Sequence, residues 1–239
     1  MKKKTMTASL FASVLLLQGP FVLAESSTGS STATITFETN KNPVILNPEN
    51  PNEEYTPDPG KGENESTKNT GPLTLDYAPN FNFGAHEILG KTVMFKSTDQ
   101  KPFLQVTDRR ETLTSWKVTA KLDAFKSNGK TTLKGASLTI EPGQVKTPSY
   151  NSATGVVAPV TTVKSVDLIP EGPAVDILTS TGKSPYSWLL YWPGTDVSPE
   201  GEAGKVWSNS NISLTVPLNE QIKGKHVAVI NWVLTDSVN

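Results

Sequence analysis

The chain has 239 residues, of which 22 are basic and 23 are acidic, so its formal net charge at pH 7 is −1. This balance argues against nucleic acid as a partner, because binding to the phosphate backbone needs a concentrated basic surface. The absence of cysteine excludes disulfides, thiolate metal sites and a cysteine nucleophile.

The first 24 residues have the composition of a secretory signal peptide. Three consecutive lysines form a positive start, residues 8–17 are apolar but too few to span a bilayer, and residues 22–24 (Val-Leu-Ala) suit cleavage. A retained N-terminal anchor is the alternative, but residues 18–20 (Gln-Gly-Pro) interrupt the apolar run. We therefore expect an exported protein with no membrane span once the signal peptide is cleaved.

Residues 25–71 are rich in Pro, Ser, Thr, Asn and Glu. Such a segment buries too little apolar surface to offset the entropy of ordering it, so it is predicted to be an extended, mobile arm and linker. Within it, residues 33–38 (Ala-Thr-Ile-Thr-Phe-Glu) alternate in polarity and are a candidate for one strand that docks on the domain downstream. The predicted organisation is signal peptide over 1–24, arm over 25–71 and β-domain over 72–239.

Beyond residue 71, short alternating runs are separated by turn residues such as Asn128-Gly129, Pro142-Gly143 and Pro193-Gly194. No window of comparable length has helical periodicity. The runs predict strands over residues 73–77, 92–95, 103–107, 116–122, 136–140, 212–216 and 227–234. The predicted fold is all-β, a β-sandwich with irregular loops, preceded by the signal peptide and the Pro/Ser/Asn-rich arm. Residues 156–182 are apolar and Pro-rich but poorly periodic, and we assign them no structure.

The inventory of reactive residues argues against an enzyme. The chain has two histidines, His86 and His226, and it lacks the H-E-x-x-H, nucleophile-elbow and phosphate-loop motifs. A Ser-His-Asp triad or a glycosidase-like pair of carboxylates remains open, because such residues need only meet in space. Most acidic residues fall in the arm or at turns, where solvated charge is the simpler explanation. We expect no catalytic residues, no metal and no cofactor.

The five tryptophans are better candidates, since aromatic faces commonly contact sugar polymers. Trp116 and Trp232 lie in alternating strands, where a tryptophan is more often core than contact. Trp188 and Trp192 lie beside two tyrosines and Pro193-Gly194, a setting typical of a loop. The second pair is therefore the more attractive exposed platform.

A charged run, Asp-Arg-Arg-Glu over residues 108–111, lies between two predicted strands. We favour an Asp–Arg pair that fixes the turn before Trp116, because guanidinium and carboxylate form a planar bidentate contact. The alternative is that Asp108 and Arg110 contact an anionic ligand.

Two stretches of the chain resemble the two-motif plan of WxL-domain surface proteins of Gram-positive bacteria. These are residues 106–119, which include Asp108 to Glu111 and Trp116-Lys117-Val118, and residues 231–236 (Asn-Trp-Val-Leu-Thr-Asp). Residues 79–84 (Pro-Asn-Phe-Asn-Phe-Gly) are similar to the Pro-aromatic-Phe-Gly segment of the family, and residues 212–217 to its strand before the last hairpin. The signal peptide and Pro-rich arm also resemble the family's N-terminus.

The sequence departs from the family pattern at four positions. Val118 stands where the name of the family requires Leu, and it keeps the apolar character of the position. Glu111 and Ser115 stand where Gly is frequent, and His226 where an aromatic residue is frequent.

The resemblance implies non-covalent attachment to the cell wall through peptidoglycan or another wall polymer, without catalysis, and partner surface proteins of the same gene cluster. The sequence shows no Leu-Pro-x-Thr-Gly sorting motif and no lipid-carrying Cys, which agrees with a non-covalent attachment. Secretion followed by release is the simplest alternative. A further alternative is a subunit of a surface complex, or an adhesin, that binds another protein or a host ligand. The candidate ligand-binding residues are Trp116, Val118, Trp232, Leu234, Asp108, Arg110, Trp188 and Trp192.

Overall fold

The computed structural model describes residues 30–36, 44–198 and 206–236. Residues 1–37 and residues 38–239 are two separate units. In the first unit, residues 30–36 are exposed and carry no helix or strand. The described part of the candidate docking strand, residues 33–36, is thus not a strand, while Phe37, Glu38 and the predicted signal peptide lie outside the described residues.

The described part of the second unit has fifteen strands and three 3-10 helices of three residues each. The strands are β1 Leu73–Tyr77, β2 Val93–Ser97, β3 Phe103–Asp108, β4 Trp116–Leu122, β5 Phe125–Ser127, β6 Lys130–Thr132, β7 Ser137–Ile140, β8 Gln144–Lys146, β9 Val160–Thr161, β10 Val166–Leu168, β11 Val175–Ser180, β12 Tyr186–Tyr191, β13 Thr195–Asp196, β14 Trp207–Val216 and β15 Ile230–Asp236. The 3-10 helices are Pro59–Lys61, Ser149–Asn151 and Leu218–Glu220. Across the described ranges, no helix is long and apolar enough to span a bilayer.

The strands form three antiparallel sheets and one hairpin. The first sheet has the order β1-β3-β12-β8, and the second has the order β10-β7-β14-β13 with β2 also paired to β14. The third sheet has the order β15-β4-β11-β9, and β5 pairs with β6. The fold is therefore all-β and sandwich-like, which confirms the predicted fold class.

One large apolar core joins the three sheets. It contains Leu104 and Val106 of the first sheet, Leu138 and Leu214 of the second, and Val118 of the third. Because side chains alternate between the two faces of a strand, each sheet gives every second residue to this core. The burial of β4 follows that rule, with buried residues at alternate positions from Trp116 to Leu122.

Residues 44–63 cover the opposite face of the first sheet. Ile45 and Leu46 are buried there with Phe103. Phe103 stacks on Tyr77 at 4.4 Å between ring centroids and meets Tyr55 edge-to-face at 6.0 Å. Residues 44–71 therefore pack on the domain, which corrects the prediction of a mobile arm over this part of 25–71. The prediction from average composition failed because a few apolar residues of this segment, Ile45, Leu46 and Tyr55, pack on the first sheet.

A buried polar cluster lies under the same cover. Asp76, at a bulge of β1, accepts hydrogen bonds from Thr74 Oγ1 at 2.6 Å, from Gln105 Nε2 at 2.9 Å and from Thr107 Oγ1. Gln105 also accepts from Leu46 N at 2.9 Å, so one side chain joins the sheet to the covering segment. Burial raises the pKa of Asp76, although these hydrogen bonds act to lower it.

The predicted strands are present, and the predictions for β1 and β4 match residue for residue. The largest differences are in β14, which begins five residues before the predicted start, and in β15, which begins three residues after it. Asn128 and Gly129 close the β5–β6 hairpin with φ of 48° and 76°, as expected for an Asn-Gly type I′ turn. Residues 156–182, to which the sequence assigned nothing, contain β9, β10 and β11. These strands belong to sheets completed by distant residues, so local periodicity was too short to reveal them.

Candidate ligand-binding site

The two tryptophan motifs form neighbouring strands of the third sheet. Trp232 on β15 lies opposite Ala120 on β4, and Leu234 lies opposite Val118. Residues opposite one another in a ladder share a face. The two motifs, which are distant in sequence, are therefore one structural unit whose tryptophans point to the same side of the sheet.

The position of each strand in the sheet decides which motif residues reach the surface. Trp116 and Val118 are 0% exposed because β4 is a central strand. Trp232 and Leu234 are partly exposed because β15 is at the edge of the sheet. Among the predicted binding residues of the motifs, Trp116 and Val118 are core residues, and Trp232 and Leu234 are accessible to a ligand.

Arg110 forms a clamp between the two motifs. Its Nε and Nη2 donate to the two carboxylate oxygens of Asp108 at 2.9 and 2.7 Å. Nη1 donates to Thr114 Oγ1 and to Asp236 Oδ1, both at 2.6 Å, and Nη2 also donates to Thr114 O at 2.8 Å. All five N–H groups of the guanidinium are thus engaged. This geometry supports the structural interpretation of the Asp–Arg pair and leaves Arg110 no free donor for an anion.

The charges of this clamp are mutually stabilised. The hydrogen bonds to Asp108 raise the pKa of Arg110, and the hydrogen bond from Arg110 lowers the pKa of Asp236. Asp108 is 1% exposed, so its carboxylate depends on Arg110 for compensation. The clamp fixes the end of β3, the start of β4 and the end of β15 relative to one another.

An open groove of about 1050 Å³ lies beside Trp232. We call it the aromatic groove; it is bounded by residues 79–88, by the edge of β15 and by core residues of the second sheet. Phe81 and Phe83 line it together with Trp232. The ring of Phe81 meets Trp232 edge-to-face at 6.3 Å and Trp192 at 6.2 Å. Phe81 therefore connects Trp232, which is partly exposed, to the core.

The floor of the aromatic groove is the apolar core itself. Leu122, Leu138 and Leu214 line the groove and belong to the core. Polar residues such as Asn80 and Lys225 are also part of its lining. This combination of apolar surface, aromatic rings and polar groups is the usual composition of a ligand site.

Both histidines of the chain line the same groove. Nε2 of His226 is 2.8 Å from Ile222 O and Nδ1 is 2.9 Å from Thr132 Oγ1. A carbonyl only accepts, so Nε2 carries the proton in this assignment. Nε2 of His86 likewise donates to Phe83 O, and its ring stacks on Phe95 at 4.3 Å. The histidines hold backbone segments around the groove, and the described residues contain no cluster of His, Asp and Glu suited to a metal.

A second, more polar recess of about 450 Å³ adjoins the aromatic groove. The recess and the groove share Pro79, Asn80, Asn82 and Thr98 as lining residues. Trp207 lines the recess but not the groove. Asp99 organises its wall by accepting from Asn82 N and Nδ2, both at 2.7 Å. The recess offers preorganised amide and carboxylate groups next to an aromatic ring.

Trp188 and Trp192 do not form an exposed platform, and the prediction of a loop-like setting is wrong. Trp188 lies within β12 and is 4% exposed, and Trp192 directly follows β12 and is 0% exposed. Their Nε1 atoms donate to Pro185 O at 2.9 Å and to Glu141 O at 2.8 Å. Because β12 is buried on both faces, its apolar run does not alternate, and that pattern was misread as a loop.

Sequence reasoning did not include the phenylalanines of the aromatic groove among the site residues. Phe81 and Phe83 belong to residues 79–84, which were noted for their resemblance and not for binding. Their signal was the alternation of phenylalanine and asparagine between a proline and a glycine. Phe95 lies on β2, whose alternation predicted a strand, but no sequence pattern predicted that this residue lines the groove.

A family model described as "WxL domain surface cell wall-binding" matches residues 24–237. No curated protein matches the chain, and no solved structure does. The family match covers nearly the whole sequence, including both motif strands and the phenylalanines of the groove. The chain therefore belongs to the WxL-domain family of cell-wall-binding surface proteins.

Proposed function

We propose that this protein attaches non-covalently to peptidoglycan in the Gram-positive cell wall, without catalysis, and that the aromatic groove is its contact surface. The observation that carries the proposal is the position of the second motif. Trp232 is partly exposed in an open groove, whereas its counterpart Trp116 is completely buried in the core. A wall polymer would meet aromatic and apolar surface there, with polar groups in reach.

The clamp has a supporting role in this proposal. Since every N–H of Arg110 is engaged within the protein, Arg110 and Asp108 hold β4 and β15 in register and do not contact the polymer. Hydrogen bonds to the ligand would come from the polar residues of the groove and from the adjoining polar recess. Of the eight predicted binding residues, only Trp232 lines the aromatic groove and is retained as a ligand contact.

Sedimentation with isolated walls tests the proposal. The mature chain, residues 25–239, is incubated with walls stripped of protein and then centrifuged; the chain should be found in the pellet. If folded protein stays in the supernatant, the proposal is wrong. The release of soluble fragments from these walls over time would contradict the absence of catalysis.

A pair of matched variants then tests the location of the contact. Phe83→Ala removes an aromatic wall of the groove and should weaken wall binding about tenfold, the loss expected for one aromatic contact of about 1.4 kcal/mol. Tyr150→Ala removes an aromatic ring that is 61% exposed outside the groove and should leave binding unchanged. Equal binding by both variants, with unchanged unfolding midpoints, would exclude the groove as the contact.

The second candidate function is a subunit of a surface complex or an adhesin. Val227, Val229 and Val233 are each more than 50% exposed at alternate positions along the last strand segment, which places them on one outer face. Such a row could receive another protein. Val233→Thr, at the one valine of this row that does not line the aromatic groove, would then weaken partner binding and leave binding to protein-free walls intact. Failure to bind protein-free walls without the partner would favour this candidate over the first.

A further inference from the structure

The outer edge of β15 borders the aromatic groove, and no strand of the described residues pairs with it. β15 is the terminal strand in the described order of the third sheet, where its neighbour is β4. Just before it, Val227 exchanges two backbone hydrogen bonds with Lys126, at 2.8 and 2.9 Å, and Val229 O accepts from Asp123 N at 2.9 Å. The backbone groups of residues 227 and 229 thus face inwards, toward the sheet.

Backbone groups alternate in direction along a strand, so those of Ala228, Ile230 and Trp232 face the outer edge. Within the described ranges, the structure records no hydrogen bond that pairs them there. All three residues line the aromatic groove. One side of the groove is therefore a row of unpaired backbone donors and acceptors, spaced as in a β-ladder.

We infer that the aromatic groove recognises the peptide portion of peptidoglycan, which adds to β15 as a further strand, and not the glycan. This inference rests on the proposed function and specifies the ligand of the same site. An unpaired strand edge is complementary to an extended peptide backbone, whose amides repeat at the same spacing. The amides of a glycan strand are N-acetyl substituents on its sugar rings, so its backbone cannot extend a β-ladder.

The dimensions of the site suit a short peptide. Ala228 to Trp232 spans four residue steps, or about 14 Å at about 3.4 Å per residue, which matches an extended peptide of four or five residues. The groove volume of about 1050 Å³ leaves room for its side chains.

The aromatic rings of the groove also favour a peptide. Phe81 meets both Trp232 and Trp192 edge-to-face, so these rings do not form a flat platform on which a sugar could stack. Apolar walls of this kind receive methyl and methylene groups. The peptide side chains would occupy them while the peptide backbone pairs with β15.

Competition with wall fragments tests the inference. Binding of the mature chain to intact, protein-free walls is measured in the presence of two soluble probes. The first is muropeptides from a muramidase digest, which keep the peptides, and the second is peptide-free glycan strands from an amidase digest. Muropeptides should displace the chain from the walls, and peptide-free strands should not.

The outcomes separate the two proposals. Displacement by peptide-free glycan strands as effective as that by muropeptides would overturn the peptide inference and leave the proposed function standing. Failure to bind intact walls would overturn the proposed function and the inference together. Displacement by muropeptides alone would support both.

A backbone variant gives an independent test. Ala228→Pro removes one N–H from the outer edge and places a ring in the path of an added strand, at an edge position where proline is tolerated. Wall binding should fall at least tenfold with an unchanged unfolding midpoint. Val163→Pro, at a residue 91% exposed between β9 and β10, is the control and should bind normally. Normal wall binding by folded Ala228→Pro would overturn the inference; if the variant fails to fold, the competition assay decides.

Discussion

Single residues explain why the two motifs of this chain remain in register. Asp108 is almost completely buried and would be a costly isolated charge without Arg110. The bidentate contact compensates it, and the remaining guanidinium donors reach Thr114 and Asp236. The Asp–Arg pair, for which the sequence favoured a structural role over contact with an anionic ligand, is therefore a structural clamp.

Replacement of Arg110 tests the clamp. Arg110→Lys keeps the charge but loses the planar, five-donor geometry, so we expect the free energy of unfolding to fall by about 2–4 kcal/mol. The comparison is Lys117→Ala, which breaks the exposed Lys117–Asp176 pair and should cost less than about 1 kcal/mol. Urea denaturation measures both, and equal losses would show that the clamp contributes no more than a surface ion pair.

Asp76 gives a pH dependence whose sign follows from its environment. Its folded pKa is raised by burial from the ordinary value of 3.8. Its stabilising contribution is therefore complete below about pH 3.8 and is lost as pH rises through the folded pKa. Asp76→Asn has no such titration, and its amide can donate to Thr74 Oγ1 while its oxygen accepts from Gln105.

The measurement is the difference in free energy of unfolding between wild type and Asp76→Asn across a pH series. We expect wild type to lose stability relative to the variant as pH rises from about 3.8. Other acidic groups cancel in this difference. A difference that stays constant with pH would show that Asp76 titrates alike in the folded and unfolded states.

At the scale of elements, the location of a strand decides what its tryptophan does. β4 has partners on both sides and its Trp116 is fully buried, whereas β15 pairs with one strand of the described part of the chain and its Trp232 is partly exposed. The same three-residue pattern thus gives a core residue in one strand and an accessible residue in the other.

Alanine substitutions should show this difference. Trp116→Ala leaves a large cavity in the core and should cost about 3–5 kcal/mol. Trp232→Ala removes a side chain that is only partly buried, and we expect about half that loss. Chemical denaturation measures both variants, and equal losses would contradict the assigned burial of the two motifs.

The strands that could be predicted are those with one face in the core and one toward solvent. β4 shows this alternation clearly, and its bounds were predicted to the residue. β12 is buried on both faces and has no alternation, so its Trp188 and the adjacent Trp192 were assigned to a loop. β9 has two residues, which is too short for any period to be visible.

At the scale of the whole molecule, residues 44–71 complete the domain. They bury the outer face of the first sheet and satisfy Gln105, which bonds to Val44 O and Leu46 N. The boundary at residue 72, as predicted from composition, would expose this face. We propose that the folded domain begins near residue 44.

Two truncated chains test this boundary. A chain that starts at residue 72 exposes Phe103, Leu189 and Tyr191 and should be at least about 3 kcal/mol less stable than a chain that starts at residue 44. Urea denaturation of both chains is the measurement. Equal stability would show that the segment is a dispensable appendage.

The sequence by itself determined the all-β class, several strand bounds and the family, because alternation and motif order are local properties that survive without knowledge of the fold. The tertiary structure alone decided which tryptophans are accessible, because β4, β12 and β15 carry similar residues and differ in their neighbours. It also decided that Phe81 and Phe83 meet Trp232 around one groove. Burial and proximity depend on partners distant in the chain, and no local pattern encodes them.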